Sequence, residues 1–110
     1  MRKFCTATLV LCLVLSLNAF SQSTSATLGG TVQDASGAFI PGVTITATNT
    51  GTGIVTTVLS NEAGAYQFAS LQPGTYDVKA ELPGFQAAVA RGFQLGGAQQ
   101  ARFRFYIQNR

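Results

Sequence analysis

The sequence predicts an all-β fold, an antiparallel β-sandwich of about seven strands, on three observations. Apolar and polar residues alternate in short runs, the period of a half-buried strand. All three prolines precede glycine, at Pro41-Gly42, Pro73-Gly74 and Pro83-Gly84, between such runs. Proline presets the first central residue of a type II turn, and glycine supplies the positive φ of the second. Finally, no window after the N-terminal apolar run sustains a helical period over the ten or more residues a helix needs.

The elements follow in order. Residues 22–27 are small and polar and read as a flexible lead-in. Leu28, Gly30 and Val32 share one face of a first strand, with Thr31 and Gln33 opposite, and Asp34-Ala35-Ser36-Gly37 closes it as a turn. In the second strand Val43, Ile45 and Ala47 alternate with Thr44, Thr46 and Thr48, threonine suiting a water-facing sheet surface. Asn49 to Gly53 is a turn, and Ile54 to Leu59 a third strand with apolar residues on both parities. After the turn Ser60 to Gly64, Tyr66 and Phe68 mark a short fourth strand that Leu71 closes. The fifth strand turns Tyr76, Val78 and Ala80 inward and Asp77, Lys79 and Glu81 outward. A sixth is expected over Phe85 to Ala90, with Gly92, Gly96 and Gly97 breaking the region after it. In the last strand Ala101, Phe103, Phe105 and Ile107 point inward and Arg102, Arg104 and Tyr106 outward.

The N-terminal segment stands apart from this pattern. Arg2 and Lys3 precede an apolar run from Phe4 to about Leu17, too short to span a bilayer as a helix, and small residues Ala19 and Ser21 follow. That layout predicts a secretory signal over residues 1–21, cut between Ser21 and Gln22. Cys5 and Cys12 would leave with it, so the exported chain would carry no disulfide and no transmembrane span. The formal charge of +3 includes Arg2 and Lys3, which leaves +1 from five basic and four acidic residues. That balance excludes the dense basic surface of a nucleic-acid binder. The domain itself is expected to span residues 28–110.

The residues offer little chemistry. The chain has no histidine, which removes Ser-His-Asp and Cys-His arrangements and the histidine ligands usual in catalytic zinc sites. Asp77 and Glu81 lie on one strand face about 13 Å apart, too far for a glycosidase pair. Asp34 and Glu62 fall in separate turns, and a calcium site would need several more oxygens. Lys79 shares the water-facing parity of Asp77 and Glu81, which argues against a buried Lys–Asn cross-link. No catalytic, cofactor-binding or metal-ligating residue is expected.

Several short segments occur in a specific order: Gly30-Thr31-Val32-Gln33-Asp34, Ser36-Gly37, Ile40-Pro41-Gly42-Val43, Asn61 to Phe68 as NEAGAYQF, Leu71-Gln72-Pro73-Gly74-Thr75-Tyr76 and Pro83-Gly84-Phe85. In that order they resemble the carboxypeptidase regulatory-like domain, from about Leu28 to Ile107. The resemblance implies a transthyretin-like (prealbumin-like) Greek-key sandwich. It is closest to the copies at the N-terminus of TonB-dependent outer-membrane receptors, where plug and barrel follow; here the sequence ends at Arg110 without either. A free-standing domain or a truncated receptor N-terminus is therefore expected. Enzymes of transthyretin-like fold, a hydrolase of a purine breakdown product and ring-cleaving dioxygenases, depend on histidines that this chain lacks.

The expected function is accordingly a non-enzymatic, exported module: a protein-interaction or spacer domain in the periplasm, at the outer membrane or outside the cell. Its partner would be an envelope protein or receptor component. The alternative is a carbohydrate-binding module with a glycan ligand. Arg102, Arg104 and Tyr106, together on the outer face of the last strand, are the candidate interaction surface, able to grip a carboxylate, sugar acid or phosphate. They suit equally a solvated strand whose charges discourage sheet-to-sheet pairing.

Overall fold

The computed structural model describes residues 24–109, so the segment read as a signal lies outside the described residues. Seven strands form the fold: β1 (Ala26–Gln33), β2 (Thr44–Asn49), β3 (Val55–Leu59), β4 (Ala65–Leu71), β5 (Gly74–Glu81), β6 (Ala88–Leu95) and β7 (Gln100–Tyr106). They make two sheets, one of three strands in the order β4-β1-β7 and one of four in the order β3-β2-β5-β6. The hairpins β2–β3 and β5–β6 stay within the second sheet, and the other connections cross between sheets, as a Greek key requires.

Alternation drives the assembly. Ala26, Leu28 and Val32 of β1, Ile45 and Ala47 of β2, Tyr66 and Phe68 of β4, Tyr76, Val78 and Ala80 of β5, and Ala101 and Phe105 of β7 are all buried, joined by Val43 and Ile107 just outside β2 and β7. Burying the larger of these contributes about 2 kcal/mol each, the main force holding two sheets together. Phe103 and Phe105 stack edge to face at 4.8 Å, and Phe105 lies 5.8 Å from Tyr66. In β3 the structure resolves the ambiguous facing: Thr56 and Val58 turn inward while Val55, Thr57 and Leu59 are exposed.

Four features depart from the sequence reading. β1 begins at Ala26, which is fully buried opposite Leu71, and Thr27 pairs Gln100; the lead-in is therefore shorter than residues 22–27. Alanine and threonine at a strand start carry no period long enough to be seen. β1 and β7 pair in parallel, whereas the other four ladders are antiparallel. Side-chain period specifies faces, not strand direction. β6 runs from Ala88 to Leu95, later than expected, while Phe85 lies before it and forms an isolated bridge to Asn109. Gly92, expected to break the chain, sits inside β6 at φ 67°, where the β5–β6 register shifts as a bulge.

The fourth departure concerns the Pro-Gly pairs. Pro83-Gly84 behaves as read: Phe85 N–H donates to Leu82 C=O at 3.0 Å, and Gly84 has φ 88°. Pro73-Gly74 does not form such a hairpin turn. Gln72 and Pro73 carry the chain from β4 in one sheet to β5 in the other. Gly74 packs closely against Asn49 there: a Cβ would lie 2.9 Å from the Asn49 Nδ2 and the side chain would have to shift. The same corner is fastened by Tyr76, whose hydroxyl donates to Gln72 C=O at 2.7 Å.

Candidate ligand-binding surface

The outer face of the three-stranded sheet is built by strand parity. β7 projects Arg102, Arg104 and Tyr106 outward, each exposed. Register places Gly29 beside Arg102, Thr31 beside Arg104 and Gln33 beside Tyr106. On the other flank of β1, Gly29 pairs Gln67 and Thr31 pairs Ala65. The middle of the face thus has short or absent side chains, bordered on one side by two guanidiniums and a phenol. Two shallow hollows result: one of about 350 Å³ between Thr31, Arg102, Arg104 and Tyr106, the other of about 320 Å³ over Gly29, Ala65 and Gln67. A third hollow, about 380 Å³, lies elsewhere, around Glu81 and the Pro83-Gly84 turn, and has no cationic lining residue.

The sheet beneath is locked from inside. Tyr66 reaches from β4 under β1 and donates its hydroxyl to Phe103 C=O of β7 at 2.7 Å. It passes where Gly30 has no side chain: a Cβ there would stand 1.7 Å from the Phe103 carbonyl oxygen and 3.0 Å from the Tyr66 hydroxyl. Burial raises the Tyr66 phenol above its ordinary range, so it remains a hydrogen-bond donor at neutral pH. The backbone that carries Arg102 and Arg104 is thereby fixed across all three strands.

The charges divide unevenly. Asp77 and Glu81 belong to the four-stranded sheet, where Glu81 pairs Lys79 at 3.3 Å and Asp77 accepts from Gly92 N–H at 3.1 Å. The Asp34 carboxylate, in the turn after β1, accepts from Ser36 Oγ at 2.6 Å, from Ser36 N–H at 2.9 Å and from Ala38 N–H at 3.1 Å. These donors, the Ser36 hydroxyl first, hold its pKa below the ordinary carboxylate value. Among the described residues neither Arg102 nor Arg104 has a carboxylate partner. Arg104 Nη1 instead donates a long hydrogen bond, 3.4 Å, to the Tyr106 hydroxyl, and Tyr106 is 56% exposed. Two guanidiniums without a carboxylate partner, over a floor with few side chains, can accept an anionic or hydroxyl-rich ligand, and Tyr106 offers a ring to lie against.

The sequence reading put the three candidate residues on one face, and the structure does so. It missed the floor. Thr31 was legible as outward, but that Gly29, Ala65 and Gln67 continue the same surface depends on β1 lying between β4 and β7, a long-range pairing without a local signal. It also missed Ser60, a buried residue counted only as part of a turn. Ser60 Oγ donates to Ile40 C=O at 2.9 Å and accepts from Val43 N–H at 2.9 Å, which pins the Pro41-Gly42 loop. Among the described residues no three potential metal ligands of the His, Cys, Asp or Glu type come together. Lys79 is exposed on the outer face, as its parity requires.

Comparison with known proteins supplies a family and a set of folds. The model of the carboxypeptidase regulatory-like domain matches residues 27–108. No curated protein shows significant sequence similarity to the chain. Among solved structures, a proposed carbohydrate binding protein from Bacteroides uniformis superposes with a TM-score of 0.63 at 21% identity, covering 78% of this chain and 42% of the other. The dioxygenase domain of a dioxygenase carbohydrate-binding protein fusion from a Streptomyces species gives 0.58 at 14% identity, covering 82% and 83%. A streptococcal ancillary pilin gives 0.60 at 13% identity, covering 81% and 34%. The chain spans less than half the length of the first and third of these. At these identities the likeness is one of fold.

Proposed function

The chain belongs to the carboxypeptidase regulatory-like domain family, and from that premise we propose that it is a non-enzymatic module, exported to the cell envelope, that serves as a protein-interaction or spacer domain. The observation that carries this reading is the dispersal of its reactive groups. The chain has no histidine, and its four side-chain carboxylates lie on the β5 strand face or in turns, none of them ion-paired with the arginines of β7 among the described residues. The one serine hydroxyl described beside a carboxylate, Ser36 on Asp34, sits in an exposed turn where the carboxylate's pKa is lowered, which makes it a weak base. The face of β7 carries no carboxylate, so the surface is equipped to hold rather than to transform. The sequence resemblance further supports kinship with the N-terminal copies of TonB-dependent receptors, and the layout of residues 1–21 supports export. The partner in this reading is an envelope protein or receptor component.

The test is twofold. N-terminal sequencing of the cellular product should begin at or near Gln22, in the envelope or medium; an uncleaved cytoplasmic chain contradicts export. Immobilised protein should retain an envelope component that the double variant Arg102→Glu/Arg104→Glu does not, whereas identical retention by both contradicts a role for this face.

A second reading, carbohydrate binding, is favoured by the hollow beside Arg102, Arg104 and Tyr106. A structural neighbour described as a carbohydrate binding protein lends support at the level of fold. A glycan-array signal abolished by Tyr106→Ala would promote it, and a signal unchanged by that substitution would remove the face from consideration.

A further inference from the structure

The β3 strand is an edge of the four-stranded sheet, paired with β2 and with no strand beyond it among the described residues. Its backbone polarity is readable. Ser60 N–H donates to Val43 C=O at 2.9 Å, and Asn49 N–H donates to Ile54 C=O at 2.9 Å. The even-numbered residues therefore direct their backbone groups to β2. By the period of an antiparallel ladder, the N–H and C=O groups of Val55, Thr57 and Leu59 point to the open side.

The other three edges are defended and this one is not. β7 carries Arg102 and Arg104, β6 has a bulge at Arg91-Gly92, and the β1–β4 ladder shifts register between Ala26 and Leu28. Charges and bulges are the usual devices against edge-to-edge pairing. β3 is Val-Thr-Thr-Val-Leu, regular throughout, without charge, glycine or proline. Val55 is 57% and Leu59 64% exposed. No charged residue occurs between Asp34 and Glu62, so two copies of this edge meet without electrostatic repulsion.

The strand is also self-complementary. An antiparallel pairing about a two-fold axis through Thr57 sets Thr57 against Thr57 of the second copy and Val55 against Leu59. These are the three residues whose backbone groups face the open side, so each facing pair exchanges both its hydrogen bonds. Side-chain parity is kept: Val55 and Leu59 form apolar cross-strand pairs on the outer surface, and Thr56 faces Val58 on the inner one. We propose that β3 is a homodimerisation edge, joining two copies into a continuous eight-stranded sheet, β6-β5-β2-β3-β3-β2-β5-β6. This inference is independent of the ligand held by the opposite sheet.

Sedimentation velocity of the purified chain from micromolar to millimolar concentration tests it. The expected result is a concentration-dependent monomer–dimer equilibrium. Thr57→Pro removes an N–H that β2 does not use, so the strand remains while dimerisation weakens roughly tenfold or more. Thr57→Lys, tolerated at an exposed position, sets like charges across the axis and weakens the dimer in a manner that added salt relieves. If the proline variant fails to fold, the lysine variant alone decides. A monomer at every concentration overturns the proposal, as does a dimer that both folded variants leave intact.

Discussion

The two sheets treat water differently. The four-stranded sheet shows a solvated wall: Thr44, Thr46 and Thr48 on β2, and on β5 a lysine whose charge is answered by Glu81 on the same strand. The three-stranded sheet shows small residues, two arginines without carboxylate partners and a half-exposed tyrosine. Inside, the order reverses. The sheet with the uncompensated outer face is cross-tied by the Tyr66–Phe103 hydrogen bond beneath Gly30, a side-chain tie spanning three strands. A surface that keeps free charge in place needs a rigid backbone under it, because each guanidinium already brings a long, mobile side chain.

Substitutions grade this contrast. The largest effect is expected at Gly30→Ala. A methyl group cannot share space with the Phe103 carbonyl, so β1 and β7 must separate, at a cost of about 4 kcal/mol. That is most of the stability of a domain this small, and chemical denaturation should show loss of cooperative folding. Next comes Ser60→Ala after β3, which strands the Ile40 carbonyl and the Val43 amide of the Pro41-Gly42 loop together; about 2 kcal/mol is expected from the same measurement. Tyr66→Phe keeps the ring and loses only the bond to Phe103, about 1–2 kcal/mol.

The same tyrosine gives a pH signature. Its folded pKa is raised above the unfolded value of 10.0, so the stabilisation is complete below pH 10 and is lost as pH climbs toward the folded value. Alkaline unfolding monitored by circular dichroism should therefore soften in Tyr66→Phe. Asp34 acts in the opposite sense: its lowered pKa makes a contribution present above pH 3.8 and lost as pH falls. Smallest of all, Lys79→Ala should move stability by less than about 0.5 kcal/mol, because the Lys79–Glu81 pair is exposed on both sides. A large effect there would break the contrast between the sheets.

Much of the fold was legible. Strands β2, β5 and β7 announce themselves through strict alternation, which reports a sheet with one wet face. The ends of β6 were not, because Gly92 reads locally as a breaker and becomes a bulge only when β5 lies alongside. The role of Gly74 was hidden for the same reason: the side chain it accommodates belongs to Asn49, on another strand. At the candidate surface, parity grouped Arg102, Arg104 and Tyr106, since neighbours two apart on one strand need no tertiary knowledge. The floor of Gly29, Ala65 and Gln67, and the Tyr66 tie below it, arise from pairing between segments far apart in the chain.

The claim that the three-stranded sheet presents the working face can be met directly by in-cell photo-crosslinking. A photoreactive residue in place of Thr31, at the middle of that face, is compared with one in place of Lys79 on the opposite sheet. Discrete adducts with an envelope protein or glycan from position 31, and none from position 79, are the expected result. Adducts confined to position 79 would contradict it.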